Sequence, residues 1–231
     1  MRSWENRNDT LVVDEPFYGF YLARTGVEHP GKDEVIDQMC TDWREIAEQL
    51  TGERADSTSI YYQKHMAHHM LPEVDLSWFH GLTHAFLIRH PDEMIPSLAE
   101  KLSEFDLAAT GLPLQWSLFE RVVSATGQVP PVLDAGDVLR DPEGMLRLFC
   151  TRLGVPFFPS MLCWPPGRRD SDGPWAQYWY ENVEKSTGFG PYRPKNRPIA
   201  PKWRAIHTES VEIYEKLSAH RLISRPLQGH H

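Results

Sequence analysis

Four short β-type runs, TLVVD (10–14), SIYYQK (59–64), THAFLI (83–88) and PVLDA (131–135), alternate with stretches of helical periodicity, and this alternation constrains the fold most. Runs rich in β-branched and aromatic residues that give way at once to polar ones read as strands. A helix between strands returns the chain across the sheet, so successive strands are expected parallel. The fold class is therefore α/β, a three-layer α/β/α arrangement with a mostly parallel sheet. Between the strands, Val35, Ile36, Met39, Trp43, Ile46, Ala47 and Leu50 recur at helical spacing, with a break near Thr41 and Gly52 as a stop. A helix begins at Pro91 with Asp92 and Glu93 in its first turn, where carboxylates suit the helix dipole. Another covers 111–127, and Asp141 caps a third that Pro142 opens and Gly154 closes. Residues 1–8 read as the end of a helix running into the first strand, and residues 202–222 as a terminal helix.

The 231 residues suffice for one substantial core, and no internal repeat or linker divides them, so 1–231 is expected to be a single domain. Residues 158–203 are rich in Pro, Trp and Tyr and read as an irregular cover. The 24 Lys and Arg stand against 32 Asp and Glu, a net charge of −8. That balance opposes broad binding to nucleic acid or an anionic membrane, both of which need a basic surface, but allows a local basic pocket. No segment reaches the ~20 apolar residues of a membrane span, and MRSWENRNDT lacks the apolar core of a signal peptide. A cytoplasmic protein is expected. Cys40, Cys150 and Cys163 are odd in number and form no C-x-x-C pair, which fits reduced, packed thiols.

Chemistry concentrates in three places. In THAFLIRHPDEMIPSL (83–98) a strand ends at Arg89, a helix opens at Pro91 and Ser97 follows, which makes an anion site beyond a strand's carboxyl end. The alternative is a surface Arg89 paired with Asp92 or Glu93. In YYQKHMAHHMLP (61–72), Lys64 at a strand end is followed by His65, His68 and His69, which can supply a general base. His65 and His69 are four apart and would share a helix face as metal ligands, but the Glu of an H-E-x-x-H pattern is Met66 here, so no metal is expected. Asp14 and Glu15 close the first strand, where they either orient an acceptor or cap the next turn.

These segments resemble the sulfotransferase family, closer to bacterial small-molecule sulfotransferases than to cytosolic animal enzymes. In that family a strand runs into Arg, a turn with Pro and a helix carrying Ser eight residues on; Arg89 and Ser97 match. Lys64 and the histidines behind it match the family's strand-end Lys with a catalytic His close by, although the family's second position after Lys is Met66 here. VLDAGDVLRDPEGMLRLFCTRLGVPFFPSML (132–162) is similar to its D-P-E helix leading to L-G-V-P-F. The resemblance implies a P-loop nucleoside triphosphate hydrolase-like fold and 3'-phosphoadenosine 5'-phosphosulfate as co-substrate, with no metal. It implies a 3'-phosphate held by Arg89 and Ser97. In ENVEKSTGFGPYRPK (181–195), Ser186, Arg193 and Lys195 resemble the basic segment that closes over the nucleotide; a solvated basic turn is the alternative. The base is open among His65, His68 and His69, with His65 favoured because it lies nearest the strand end. The family's N-terminal strand and its P-[KR]-S-G-[TS] loop for the 5'-phosphosulfate are not found before MRSWENR, so the fold is expected to lack that strand.

Sulfuryl transfer to a hydroxyl or amine of a small molecule is thus the leading expectation, impaired in this chain if the loop is missing. A non-catalytic remnant that keeps part of the nucleotide site and a histidine-cluster metallohydrolase are the alternatives.

Overall fold

A computed structural model describes residues 1–53, 58–194 and 197–224. In chain order these form α1 (Arg2–Glu5), β1 (Thr10–Asp14), α2 (Tyr18–Thr25), α3 (Lys32–Gln38), α4 (Trp43–Thr51), β2 (Ile60–Lys64) and β3 (Phe86–Ile88). There follow α5 (Pro91–Ala99), α6 (Leu112–Thr126), β4 (Val132–Asp134), α7 (Ala135–Arg140), α8 (Pro142–Leu153), α9 (Ala176–Trp179), α10 (Glu181–Glu184) and α11 (Arg204–Ser218). The fold is α/β with short parallel sheets: β1 pairs with β2 and β3 with β4, both in parallel. Where one larger sheet was expected, the described strands make two sheets of two strands each. No described helix is long and apolar enough to cross a membrane.

Local signals account for most element boundaries. The break near Thr41 separates α3 from α4, and Asp42 restarts the helix by accepting the Arg44 N–H at 2.8 Å. Asp141 accepts the Gly144 N–H at 3.0 Å to cap α8, and Gly154 closes it at φ 70°, a left-handed backbone that glycine adopts without strain. The run 83–88 is strand only in its last three residues. The terminal helix starts two residues late because a 3-10 turn, Pro201–Trp203, precedes it. Helix α2 has no counterpart among the predicted elements. Tyr18, Gly19, Phe20 and Leu22 are buried and only Ala23, Arg24 and Thr25 at its end are exposed, so over two turns it shows no repeating polar face in the sequence.

The described residues fall into two compact units, Met1–Leu82 with Phe158–Phe189, and Thr83–Phe157 with the residues from Gly190 onward. The expected cover at 158–203 is therefore divided between them at residue 189. In the first unit, Tyr18, Leu22, Val35 and Trp175 form a buried cluster ringed by Tyr21, Ile36, Met39, Trp179 and Tyr180. Its N-terminal segment is tied to the 158–189 stretch by polar bonds. Arg2 pairs with Asp172 at 2.7 Å, and Asn6 donates to the carbonyls of Ser160 and Cys163 at 2.6 and 2.7 Å. Arg7 pairs with Asp9 at 2.8 Å and lies 4.6 Å over the Phe158 ring.

In the second unit, β3 pairs with β4, and an isolated parallel bridge sets Arg221, just past α11, beside Val132 of β4. Ile88, Ile95, Leu112, Phe119, Val132 and Leu217 are among its buried apolar residues. Cys40, Cys150 and Cys163 are all free thiols.

Candidate functional site

The carboxyl ends of the two sheets carry the candidate residues, one constellation in each unit. At the first, the parallel register sets Asp14 of β1 directly opposite Lys64 of β2. Glu15 follows at φ 45°, a left-handed backbone that costs a glutamate of order 1 kcal/mol or more. Its N–H donates to the Lys64 carbonyl at 2.8 Å, and its carboxylate forms an ion pair with the Lys64 ammonium. Asp14 Oδ1 lies 3.3 Å from the same Nζ. Burial pushes the Glu15 carboxyl above the usual carboxylate range, against the opposing pull of Lys64. Burial acts to lower the Lys64 ammonium, but Glu15 and Asp14 outweigh it and hold the group above its ordinary value. Tyr180 joins this cluster, donating from its hydroxyl to Asp14 Oδ2 at 2.5 Å.

The three histidines stand in different surroundings. His65 follows β2 directly and its Nε2 is 3.1 Å from Gln63 Oε1. Gln63 donates its own amide N–H to the Leu50 carbonyl at 2.8 Å, so its oxygen faces His65. With the amide oriented this way Nε2 is the donor, and in the neutral ring the lone pair sits on Nδ1, an atom buried from solvent. His68 and His69 lie in a 3-10 turn, Ala67–His69, which begins after His65, so His65 and His69 share no helix face and the geometry behind the metal alternative does not form.

His69 is 2% exposed and stacks between Tyr18 and Tyr21, each centroid 4.8 Å away. Burial holds it well below the ordinary imidazole value. Burial, with His29 and Lys64 nearby, brings His68 down to about 4. A histidine with a depressed folded value contributes stability that is present above the unfolded value, near 6.5, and lost as pH falls toward 4. His68→Gln is accordingly expected to flatten the acid limb of the stability curve between about pH 6.5 and 4. Urea unfolding at several pH values reads this, and an unchanged acid slope contradicts it.

At the second strand edge, Arg89 reaches Glu93 with Nε to Oε2 at 3.4 Å, as the alternative reading of this arginine expected. Asp92, its other expected partner, pairs instead with His207 at 2.6 Å. A cleft of about 190 Å³ opens here, lined by Arg89, Arg140 and Arg221 together with Glu93, Asp134 and Asp137. Asp134 ends β4 and accepts the Gly136 and Asp137 N–H groups at 2.8 and 3.1 Å, and the Tyr214 hydroxyl at 2.9 Å. Arg140 and Arg221 both lean on Asp137, at 2.9 and 3.1 Å. Tyr192 donates to Glu93 at 2.8 Å and lies under the Arg140 guanidinium, 3.9 Å from the ring centroid.

The remaining expected residues are spread out. Ser97 is half-buried in α5 and does not line this cleft. Arg193 is exposed next to Tyr192. Ser186 belongs to the first unit, where it accepts from the Trp164 indole at 3.0 Å and donates to the Val183 carbonyl at 2.6 Å. Lys195 lies outside the described residues. Sequence reasoning missed Tyr180, Arg140, Arg221 and Tyr214. It also missed His29, whose Nδ1 is 2.8 Å from the Tyr18 hydroxyl. Among the described residues no group of three or more His, Cys, Asp or Glu is placed to hold a metal ion.

In open parallel α/β sheets ligands bind beyond the carboxyl ends of the strands, which is where these ionisable groups stand. The sulfotransferase domain family matches residues 1–202 of the sequence, and the chain belongs to that family. Among curated proteins it is 34% identical over 233 residues to "Branched-chain-amino-acid aminotransferase-like protein 1" of Arabidopsis thaliana, covering 98% of this chain and 41% of that protein. It is also 34% identical over 189 residues to "Branched-chain-amino-acid aminotransferase-like protein 2" of the same plant, covering 82% of this chain and 33% of the relative. The chain thus spans well under half the length of these relatives. Among solved structures it is similar to the "Sulfotransferase Domain from the Curacin Biosynthetic Pathway", with a TM-score of 0.41 and 17% identity over 88% of this chain and 78% of the other.

Proposed function

We propose that this chain transfers a sulfuryl group from 3'-phosphoadenosine 5'-phosphosulfate to a hydroxyl or amine of a small molecule. The observation that carries the reading is the opposition of Asp14 and Lys64 across the carboxyl ends of β1 and β2, with His65 next in the chain. One edge thereby holds a cation for the leaving phosphate oxygen, a base, and two carboxylates that are buried against that cation and so hold it in place, where the sequence offers them as groups to orient an acceptor. The reading takes residues 1–231 as one domain of the three-layer, P-loop type, supported by a family match that runs through both units.

In the step itself the acceptor oxygen or nitrogen bonds to sulfur as the bond from sulfur to the phosphate oxygen breaks. The acceptor's proton passes to the His65 imidazole, and the leaving phosphate keeps the electron pair of the broken bond. Lys64 opposes the charge that develops on the leaving oxygen. Arg89 is assigned to the donor's 3'-phosphate. Its one contact with Glu93 is long, and its side chain is 37% exposed, which leaves guanidinium N–H groups for a phosphate oxygen.

The test is transfer of labelled sulfuryl from the donor to a panel of hydroxyl- and amine-bearing small molecules, expected to succeed for at least one class. Alongside it, Arg89→Ala is expected to weaken binding of 3'-phosphoadenosine 5'-phosphate about 10- to 100-fold in calorimetry, the range of a charged hydrogen bond. Equal binding by the variant removes Arg89 from the site, and no transfer to any acceptor overturns the reaction.

A further inference from the structure

Lys64 should bond first to Asp14, because the strand register places the two face to face. It does not. The Nζ to Oδ1 separation is 3.3 Å without hydrogen-bond geometry, and the other Asp14 oxygen is taken by the Tyr180 hydroxyl at 2.5 Å. The Lys64 ammonium donates instead to Glu15 and, at 3.3 Å, to the oxygen of that same tyrosine. Tyr180 thus stands between cation and anion, accepting from one and donating to the other. An ammonium has three N–H donors. Two are directed at Glu15 and Tyr180, and the third has no hydrogen-bond partner among the described residues.

Tyr180 is well placed to hold this arrangement. It sits at the junction of α9 and α10, its N–H bonded to the Ala176 carbonyl at 2.7 Å and its own carbonyl bonded by the Glu184 N–H at 2.8 Å. Its ring packs on the cluster of Tyr18, Leu22, Val35 and Trp175. The phenol is therefore anchored from below and aimed at the strand edge.

We propose that Tyr180 is a positioning residue that holds Asp14 by Oδ2 and so keeps Oδ1, 3.3 Å from Nζ, out of hydrogen-bond geometry with Lys64, which leaves one N–H of the ammonium for the transferring group. This rests on the sulfuryl-transfer reading above. With Tyr180→Phe, Asp14 is released to take the ammonium, and the third N–H turns to it. The expected result is a fall in kcat of about 10- to 100-fold, part of what a lost transition-state donor costs, with the acceptor KM within about threefold.

Two controls separate this from loss of structure. Tyr178→Phe removes a hydroxyl from the same segment, one bonded to Glu34 at 3.2 Å, and is expected to leave kcat unchanged. Tyr180→Phe combined with Asp14→Asn is expected to cost no more than the larger single change, since the phenol acts through that carboxylate. An unchanged kcat in Tyr180→Phe overturns the proposal, as do additive effects with Asp14→Asn or an equal fall in Tyr178→Phe. Wild-type activity is measured first. If the unaltered protein transfers nothing, the reaction assignment falls and this role falls with it, whereas an active wild type with an indifferent Tyr180→Phe sinks the positioning role alone.

Discussion

Lys64→Met is expected to destabilise the protein by about 3 kcal/mol at pH 8 and to abolish transfer, because it leaves two buried carboxylates side by side with no cation. The side chains of Asp14 and Glu15 are 0% and 11% exposed, so water replaces little of the lost ammonium. The same geometry fixes how the loss depends on pH. Burial raises the Glu15 carboxyl even with Lys64 present, and without it mutual repulsion adds to the burial. A carboxyl whose folded value lies above its unfolded value binds protons more tightly in the native state, so stability is greatest below the unfolded value and falls as pH rises through the folded one. The deficit of Lys64→Met should therefore shrink on going from pH 8 to pH 5. Denaturant unfolding of both proteins across that range reads it. A variant as stable as wild type at pH 8, or a deficit that grows on acidification, would show that the cluster is not held by this ammonium.

The sequence reveals those parts of the molecule whose causes are local. Asp141, Pro142 and Gly154 bound α8 through bonds that span a few residues, and Asp42 restarts α4 in the same way. The strands were legible from β-branched and aromatic runs, and with them the placement of Asp14, Lys64 and Arg89 at strand ends. What stayed hidden depends on contacts far apart in sequence. Nothing near Tyr180 in the chain points to Asp14, 166 residues away, and the aromatic stretch around it reads as cover. The spacing of His65 and His69 suggests a helix, yet a 3-10 turn takes that place and Pro72 follows soon after, so the apparent i, i+4 pair never faces one way. Arg89 was recognised as an anion-site candidate, but its neighbours Arg140 and Arg221 were not. They reach the same cleft from α7 and from the residues after α11, and only the fold brings them together.

His65→Gln and His69→Ala are expected to fail in opposite ways, and the contrast decides which histidine is the base. His65 is half-buried at the end of β2, with the Gln63 amide oriented toward its Nε2. Its replacement should lower kcat by about 10²- to 10⁴-fold while the unfolding transition moves little. His69 lies between the Tyr18 and Tyr21 rings, where no acceptor can reach it without parting the stack. Cutting it to alanine leaves a ring-sized gap, so the expected loss is about 2–4 kcal/mol of stability, with kcat within a few-fold when measured well below the melting range. The two readings separate because burial acts on stability and on reactivity in opposite directions. The surroundings that make His69 indispensable to packing also hold its proton affinity far below the working pH, where a base drives proton transfer poorly. If His69→Ala removed turnover from a folded protein while His65→Gln kept it, the base would have to be the buried ring, and the acceptor would have to enter by displacing one of the tyrosines.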